Sequence, residues 1–272
     1  MPGPTRDTDD LKALFVPDGV RLVPTDYARG PWSPDSLHGG PVAAAVVRET
    51  ERSVPADDGL RTTRITLELL RPVGTAPLTV TGAVVRPGRK VQVVDTVVEQ
   101  GGVEVAWARA VRMRVDLTLH VPVPDTLEDP APGPPSAGVP VPFRVSDYPG
   151  FHNAGVEIRY LSGRIDRAGP ATAWFRLAVP VVAGEQPSPE QRAVAVSDFG
   201  NGISAELDFA TATFINPDLS VHLLRPPVGE WICLDARTRF GPPGTGLAES
   251  ALWDGEGRVG RALQSLYVEL ER

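Results

Sequence analysis

His38-Gly39-Gly40 stands directly before Pro41-Val42-Ala43-Ala44-Ala45, an order of residue types that makes a place for negative charge. Proline suits the first position of a helix and alanine is the best helix former, so a helix opens here. The free amides at a helix N-terminus attract anions, and glycines let a ligand reach the backbone; together these make an oxyanion site. His38 reads either as a general base or, better, as a turn histidine bonding its own loop. A second group lies far along the chain. Asp198 closes a helix-like run, where it would act as a base or orient a water, or else cap the helix and face solvent. Gln264 sits between Leu263 and Leu266 on an apolar run. A buried amide there needs a partner, unless it faces outward with Arg261 and Ser265. Gly200-Asn201-Gly202 has the same backbone freedom as Gly39-Gly40, and reads as a second binding loop or, preferably, as a helix stop.

Other groups lack partners for chemistry. Cys233 lies in Trp231-Ile232-Cys233-Leu234, where a thiol is a buried small hydrophobe rather than a nucleophile. Gly241-Pro242-Pro243-Gly244-Thr245-Gly246 has no lysine and its prolines have no amides for a phosphate, so it reads as a hairpin loop. There is no G-x-S-x-G nucleophile elbow. Four scattered histidines (His38, His120, His152, His222) and one cysteine give no zinc spacing, and neither metal nor cofactor is expected. The chain is acidic, with net charge −7 and a pI near 5.2, and has no basic cluster with interleaved aromatics, which argues against nucleic acid. No apolar run approaches the ~20 residues of a membrane span. Residues 1–15 carry acid where a secretory leader would be basic and then apolar. With one cysteine and hence no internal disulfide, a cytoplasmic protein is expected.

The elements that would position these groups repeat. Thr66-Leu67-Glu68-Leu69-Leu70-Arg71-Pro72 and Ser220-Val221-His222-Leu223-Leu224-Arg225-Pro226 lie 154 residues apart in a chain of 272. A repeat at half the chain length points to two copies of one fold, sharing an interface where a site can form. The first copy has a helix over 41–52, apolar at its start and therefore buried, then strands over 61–70, 78–86, 90–100 and 104–115. The second has strands over 156–164 and 171–179, a helix over 189–199, and strands over 212–215, 219–224, 230–240, 246–253 and 259–270. Between them, prolines 122, 124, 130, 132, 134, 135, 140 and 142 deny regular structure to 116–145, a stiff surface linker. The expected organisation is α+β: an N-terminal domain over 1–118, the linker over 119–145 and a C-terminal domain over 146–272. Each domain is expected to wrap an antiparallel sheet around one long helix.

Helix, then a run of strands, duplicated, with LLRP after each helix, resembles the double hotdog acyl-CoA thioesterases of the type II family. The resemblance covers roughly 30–116 and 150–271. In the first half it is carried by Leu37-His38-Gly39-Gly40-Pro41-Val42, Leu69-Leu70-Arg71-Pro72 and Val105-Ala106-Trp107-Ala108-Arg109-Ala110. In the second it is carried by Val196-Ser197-Asp198-Phe199-Gly200-Asn201-Gly202, Asn216-Pro217-Asp218-Leu219-Ser220, Leu224-Arg225-Pro226 and Gly260-Arg261-Ala262-Leu263-Gln264-Ser265-Leu266. It implies hydrolysis of fatty acyl-CoA or a related acyl thioester, without a covalent intermediate or a cofactor, by a water held between the halves. It also implies that Asp198, Gln264 and a hydroxyl on the intervening strand hold that water. Here the sequence departs from the family: the hydroxyl position falls on Asn216, and Ser220 is the nearest hydroxyl of the same side-chain parity. Both stand as candidates, since an amide also orients water as donor and acceptor. His38, Gly39, Gly40, Gly200 and Asn201 are the expected substrate contacts. Arg71 and Arg225 could meet CoA phosphates, but their symmetric placement suits a structural role at strand ends better. A dimer of double hotdogs is the expected form of any homo-oligomer. The rival reading is a non-catalytic acyl-CoA-binding protein of the same fold, favoured by the altered hydroxyl position.

Overall fold

In the computed structural model, residues 12–55, 59–116, 118–119, 130–141, 145–208, 211–242 and 244–270 are described. In chain order the strands are β1 (Phe15–Asp18), β2 (Arg21–Pro24), β3 (Leu60–Leu69), β4 (Leu78–Arg86), β5 (Val91–Gln100), β6 (Val103–Arg114), β7 (Val139–Pro140), β8 (Val156–Arg164), β9 (Arg167–Leu177), β10 (Ala212–Ile215), β11 (Asp218–Leu223), β12 (Ile232–Gly241), β13 (Thr245–Asp254) and β14 (Gly257–Leu270). They form one sheet in the order β1-β2-β4-β5-β6-β3-β11-β14-β13-β12-β9-β8-β7, with β10 paired to β14 off that path. Among the described residues, three α-helices accompany it: α1 (Gly39–Arg52), α2 (Pro189–Ser197) and α3 (Gly200–Ile203).

The repeat is visible in the pairing. Adding 154 to the bounds of β5 gives those of β13, and β4 and β6 map onto β12 and β14 within their length. The halves join where β3 meets β11, and there Thr66 pairs with Ser220, its own counterpart in the repeat. A local two-fold therefore passes through that pair. Alternation decides which face each residue takes. Ile65, Leu67, Leu219 and Val221 are buried in the main core beneath the helices. Thr66 and Ser220 point to the other face, where their hydroxyls lie 3.3 Å apart.

The helices fill the concave side. Ten residues of α1 are buried, among them the run from Gly40 to Arg48, as an all-round apolar helix requires. Small residues let α1 and α2 approach closely. A Cβ on Gly40 would run into the Ala195 carbonyl oxygen. Each helix is capped by its preceding polar residue: the His38 ring accepts from the Gly40 amide, and Ser188 Oγ accepts from the Gln191 amide.

Two expectations need correction, and one feature is new. The second-half helix is broken: α2 ends at Ser197, Asp198 and Phe199 interrupt it, and α3 follows. Gly200-Asn201-Gly202 thus restarts a helical turn and is no stop. Glycine is required at 200 for a packing reason, since a Cβ there would lie 2.7 Å from Ser250 Oγ and 2.8 Å from Gln264 Oε1. The connector is not wholly irregular. Prolines 122, 124 and 142 fall outside the described residues, but Pro135–Ala137 forms a 3₁₀ turn, and Val139–Pro140 pairs with β8 as an edge strand, where a proline is tolerated. Finally, β1 and β2 add two short strands at the other edge. The Leu14 and Phe15 amides donate to Pro180 and Val181 carbonyls, so this segment docks on the second half.

Candidate active site

α1 and α2 run so that the start of each meets the end of the other, and both meetings are polar. At one end His38 Nδ1 lies 2.8 Å from Asp198 Oδ2, with both side chains nearly buried. At the other end Ser188 Oγ donates to Glu51 Oε1 at 2.6 Å, and Gln191 Nε2 donates to Oε2 at 2.7 Å. Burial pushes the Glu51 carboxyl up from its usual range. The two ends then diverge. Gln264 reaches Asp198 from β14, whereas the position 154 residues earlier on β6 is Ala110, which offers no amide.

Asp198 is held from four directions. Oδ1 accepts from Asn216 Nδ2 at 2.8 Å and from Gln264 Nε2 at 3.1 Å; Nε2 also lies 3.3 Å from the Asp198 carbonyl. Oδ2 faces His38. A Cβ on Gly39 would sit 2.7 Å from the same oxygen, so only glycine leaves room for it. A carboxylate has about four lone-pair sites; both on Oδ1 are taken, and Oδ2 keeps one when His38 Nδ1 carries a proton and donates to it. His38 Nδ1 has one in-plane lone pair, yet it lies 3.1 Å from the Gly40 amide and 2.8 Å from Asp198. It cannot accept from one and donate to the other at once, so the position of one proton decides which contact forms.

A cavity of about 640 Å³ opens on this group. That size suits a small-molecule site. Gly30–Gly39, Val42 and Leu69–Val73 contribute from the first half, and Asp198, Phe199, Asn201, Gly202 and residues 213–217 from the second, though not every residue of these stretches lines it. Trp32, Leu69, Leu70, Phe214 and Ile215 make much of its wall apolar. The His38 ring is fixed from behind by Phe199, with centroids 4.8 Å apart, and by Phe151 at 5.2 Å.

The structure thus gathers Asp198, Asn216, Gln264, His38 and Gly39. Asn201 lines the cavity too, and its amide donates to Gln264 Oε1 at 3.1 Å. Gln264, only 1% exposed, faces inward and is spent on Asp198 and Asn201, so it positions the carboxylate. Gly40 and Gly200 do not line the cavity; the Gly40 amide faces His38 Nδ1 at 3.1 Å. Ser220 is not brought to the site. It lies across the sheet, bonded to Thr66, because its neighbours Leu219 and Val221 occupy the helix-facing side. Cys233 is buried between Trp174 and Trp253, and burial pushes its thiol up, away from any reactive form.

One group that sequence reasoning left aside is His152, in the one-turn π-helix Phe151–Gly155. Its ring is buried and its Nε2 lies 2.8 Å from Ser146 Oγ. Burial first, and the nearby His38 second, push it down to about 4. Between pH 6.5 and about 4 the unfolded chain therefore binds a proton there that the folded chain refuses, and stability falls as the solution is acidified. We expect this to cost on the order of 2–3 kcal/mol across that window. Urea midpoints at pH 7, 6 and 4.5 check it: the slope against pH should flatten in His152→Asn, and an unchanged slope would exclude His152 as its source.

Residues 28–115 match the family described as acyl-CoA thioesterase N-terminal domain, and residues 124–268 match acyl-CoA thioesterase C-terminal domain. The chain belongs to the acyl-CoA thioesterase family. No curated protein sequence matches it. Among solved structures, it is similar to a candidate thioesterase II from Thermobifida fusca YX, at 17% identity and a TM-score of 0.75 over 99% of both chains. It is similar to a hot dog fold protein of unknown function from Alicyclobacillus acidocaldarius, at 18% identity and 0.71, again over 99% of both. It is also similar to acyl-CoA thioesterase II TesB2 from Mycobacterium marinum, at 17% identity and 0.64, covering 86% of this chain and 89% of that one. At such identities the likeness shows the fold alone, and this acyl-CoA thioesterase family member has the hotdog fold. Among the described residues no helix is long and apolar enough to cross a membrane.

Proposed function

We propose that the chain is a tandem hotdog, each half wrapping its sheet around its helix, that hydrolyses acyl-CoA thioesters with one water held beside Asp198. The observation that carries this reading is the Asp198 carboxylate, fixed by His38 from the first half and by Asn216 and Gln264 from the second, at the wall of a largely apolar cavity. The acyl chain lies along the Trp32, Leu69, Leu70 and Phe214 surfaces. A water donates to the remaining lone pair of Asp198 Oδ2. Both Asn216 Nδ2 protons have acceptors, Asp198 and the Asp218 carbonyl, so its Oδ1 is left to accept from the same water.

The water oxygen attacks the thioester carbonyl carbon as Asp198 takes its proton. Among the described residues the Gly39 amide has no acceptor, and at the start of α1 it is placed to meet the oxyanion. Collapse breaks the C–S bond, and the thiolate takes the proton from Asp198. The second reading, binding without turnover, draws on Asn216 in place of a hydroxyl. CoA release from short, medium and long acyl-CoAs decides between them. Turnover on any chain length supports hydrolysis, and saturable binding with no release on all of them selects the binding protein.

A further inference from the structure

The two LLRP arginines have parted roles. Arg225 is locked: Nη1 donates to Asp254 Oδ2 at 2.6 Å, Nη2 to Oδ1 at 2.5 Å, and Asp254 Oδ2 also accepts from the Val228 amide at 2.7 Å. This bidentate clamp ties a strand end to the next turn. In the first half, 154 residues earlier, the same places hold Arg71, Gln100 and Gly74. Gln100 keeps the turn, since its Oε1 accepts from the Gly74 amide at 3.0 Å. Its Nε2, however, donates to the Gly74 and Ala76 carbonyls at 2.9 and 2.7 Å. A neutral amide supplies its own donor where Asp254 needed an arginine, and so it releases Arg71.

The released arginine is at the cavity. Arg71 is exposed, its guanidinium has no ion-pair or hydrogen-bond partner among the described residues, and it is the only Lys or Arg among those lining the cavity. Its place relative to the site follows from the ladder. The Leu69 amide donates to the Pro217 carbonyl at 2.7 Å, next to Asn216, and Arg71 stands two residues further on, past the end of β3 in a bend where the Leu70 and Arg71 amides both donate to the Val105 carbonyl. An unpaired guanidinium on a cavity wall otherwise short of charge is a receptor for a phosphate or carboxylate.

We propose that Arg71 is a specificity residue that takes an anionic group of the thioester substrate, while its duplicate Arg225 is structural. This rests on the hydrolysis reading above. The anion has two sources, a phosphate of the CoA moiety or a carboxylate at the far end of an acyl chain. The test compares kcat and KM of wild type, Arg71→Ala and Gln100→Asp on one acyl-CoA, on the S-acyl pantetheine with the same acyl group, and on an ω-carboxyacyl-CoA of equal length. We expect Arg71→Ala to raise KM about 5- to 10-fold on the substrate carrying the recognised anion, and at least fivefold less on its counterpart lacking it. Gln100→Asp should do the same, by drawing Arg71 into the clamp that Arg225 makes. Loss on acyl-CoA but not on the pantetheine ester assigns the phosphate; loss confined to the ω-carboxyacyl substrate assigns the carboxylate. Equal changes on all three, or none, overturn the proposal. If the wild type turns over no thioester, the hydrolysis reading has failed on its own. Arg71 is then judged by calorimetric binding of CoA and of the ω-carboxyacyl-CoA, where unchanged affinity for both in Arg71→Ala overturns it.

Discussion

Asp198→Asn should lower kcat for acyl-CoA about 10³-fold while leaving the protein folded. The isosteric amide keeps the volume between His38, Asn216 and Gln264 but cannot take a proton from water, and a positioned general base is worth about 10²–10⁴. The duplicated architecture supplies an internal control. Glu51 is the carboxylate at the opposite helix crossing, held by Ser188 and Gln191, and nothing on β6 matches Gln264 there. Glu51→Gln should therefore leave kcat within about twofold. CoA release measured with a thiol reagent, beside thermal melts of each variant, checks both. Comparable losses in the two variants would mean that the carboxylates matter for helix docking and that Asp198 has no special place.

Gly40→Ala should cost about 3 kcal/mol of stability or more. That methyl would fall on the Ala195 carbonyl oxygen, which is backbone and cannot rotate away, and within 2.8 Å of Phe151 Cε1. The two helices would have to separate, and overpacking of this kind costs 1–3 kcal/mol even where side chains can yield. For a chain of this size the melting midpoint should drop by roughly 6–12 °C. Gly39→Ala makes the instructive contrast. Its methyl meets the Asp198 carboxylate, a side chain that can swing, so most of its loss should appear in turnover rather than in stability. Scanning calorimetry on both variants separates them. An unchanged midpoint for Gly40→Ala would contradict the close crossing of α1 and α2.

Much of the strand framework could be read from period alone. The bounds of β4 and β8 follow directly from their runs of apolar residues and the turns that flank them. β1 and β2 could not be read so: each has four residues, too few to show a period, and their anchors are carbonyls some 165 residues away. The chemistry of the site was legible as residue types but not as partnerships. Nothing local says that His38 reaches Asp198, or that Gln264 spends its amide on Asp198 and the Asn201 amide. Ser220 shows the cost of reasoning from parity without the break between β10 and β11. Asn216 sits in that break, free to turn to Asp198, while Ser220 obeys the alternation of β11 and faces away. The identical motifs around Arg71 and Arg225 suggested one role, and a single difference 29 residues downstream, Gln100 against Asp254, separates them.

The direct attack of an Asp198-held water is tested most directly by one turnover in ¹⁸O water with enzyme in excess over acyl-CoA. We expect the free fatty acid to carry one ¹⁸O and the peptide containing Asp198 to remain unlabelled. Label appearing in Asp198, with unlabelled acid released, would mean an acyl-enzyme anhydride and would contradict the direct attack of water.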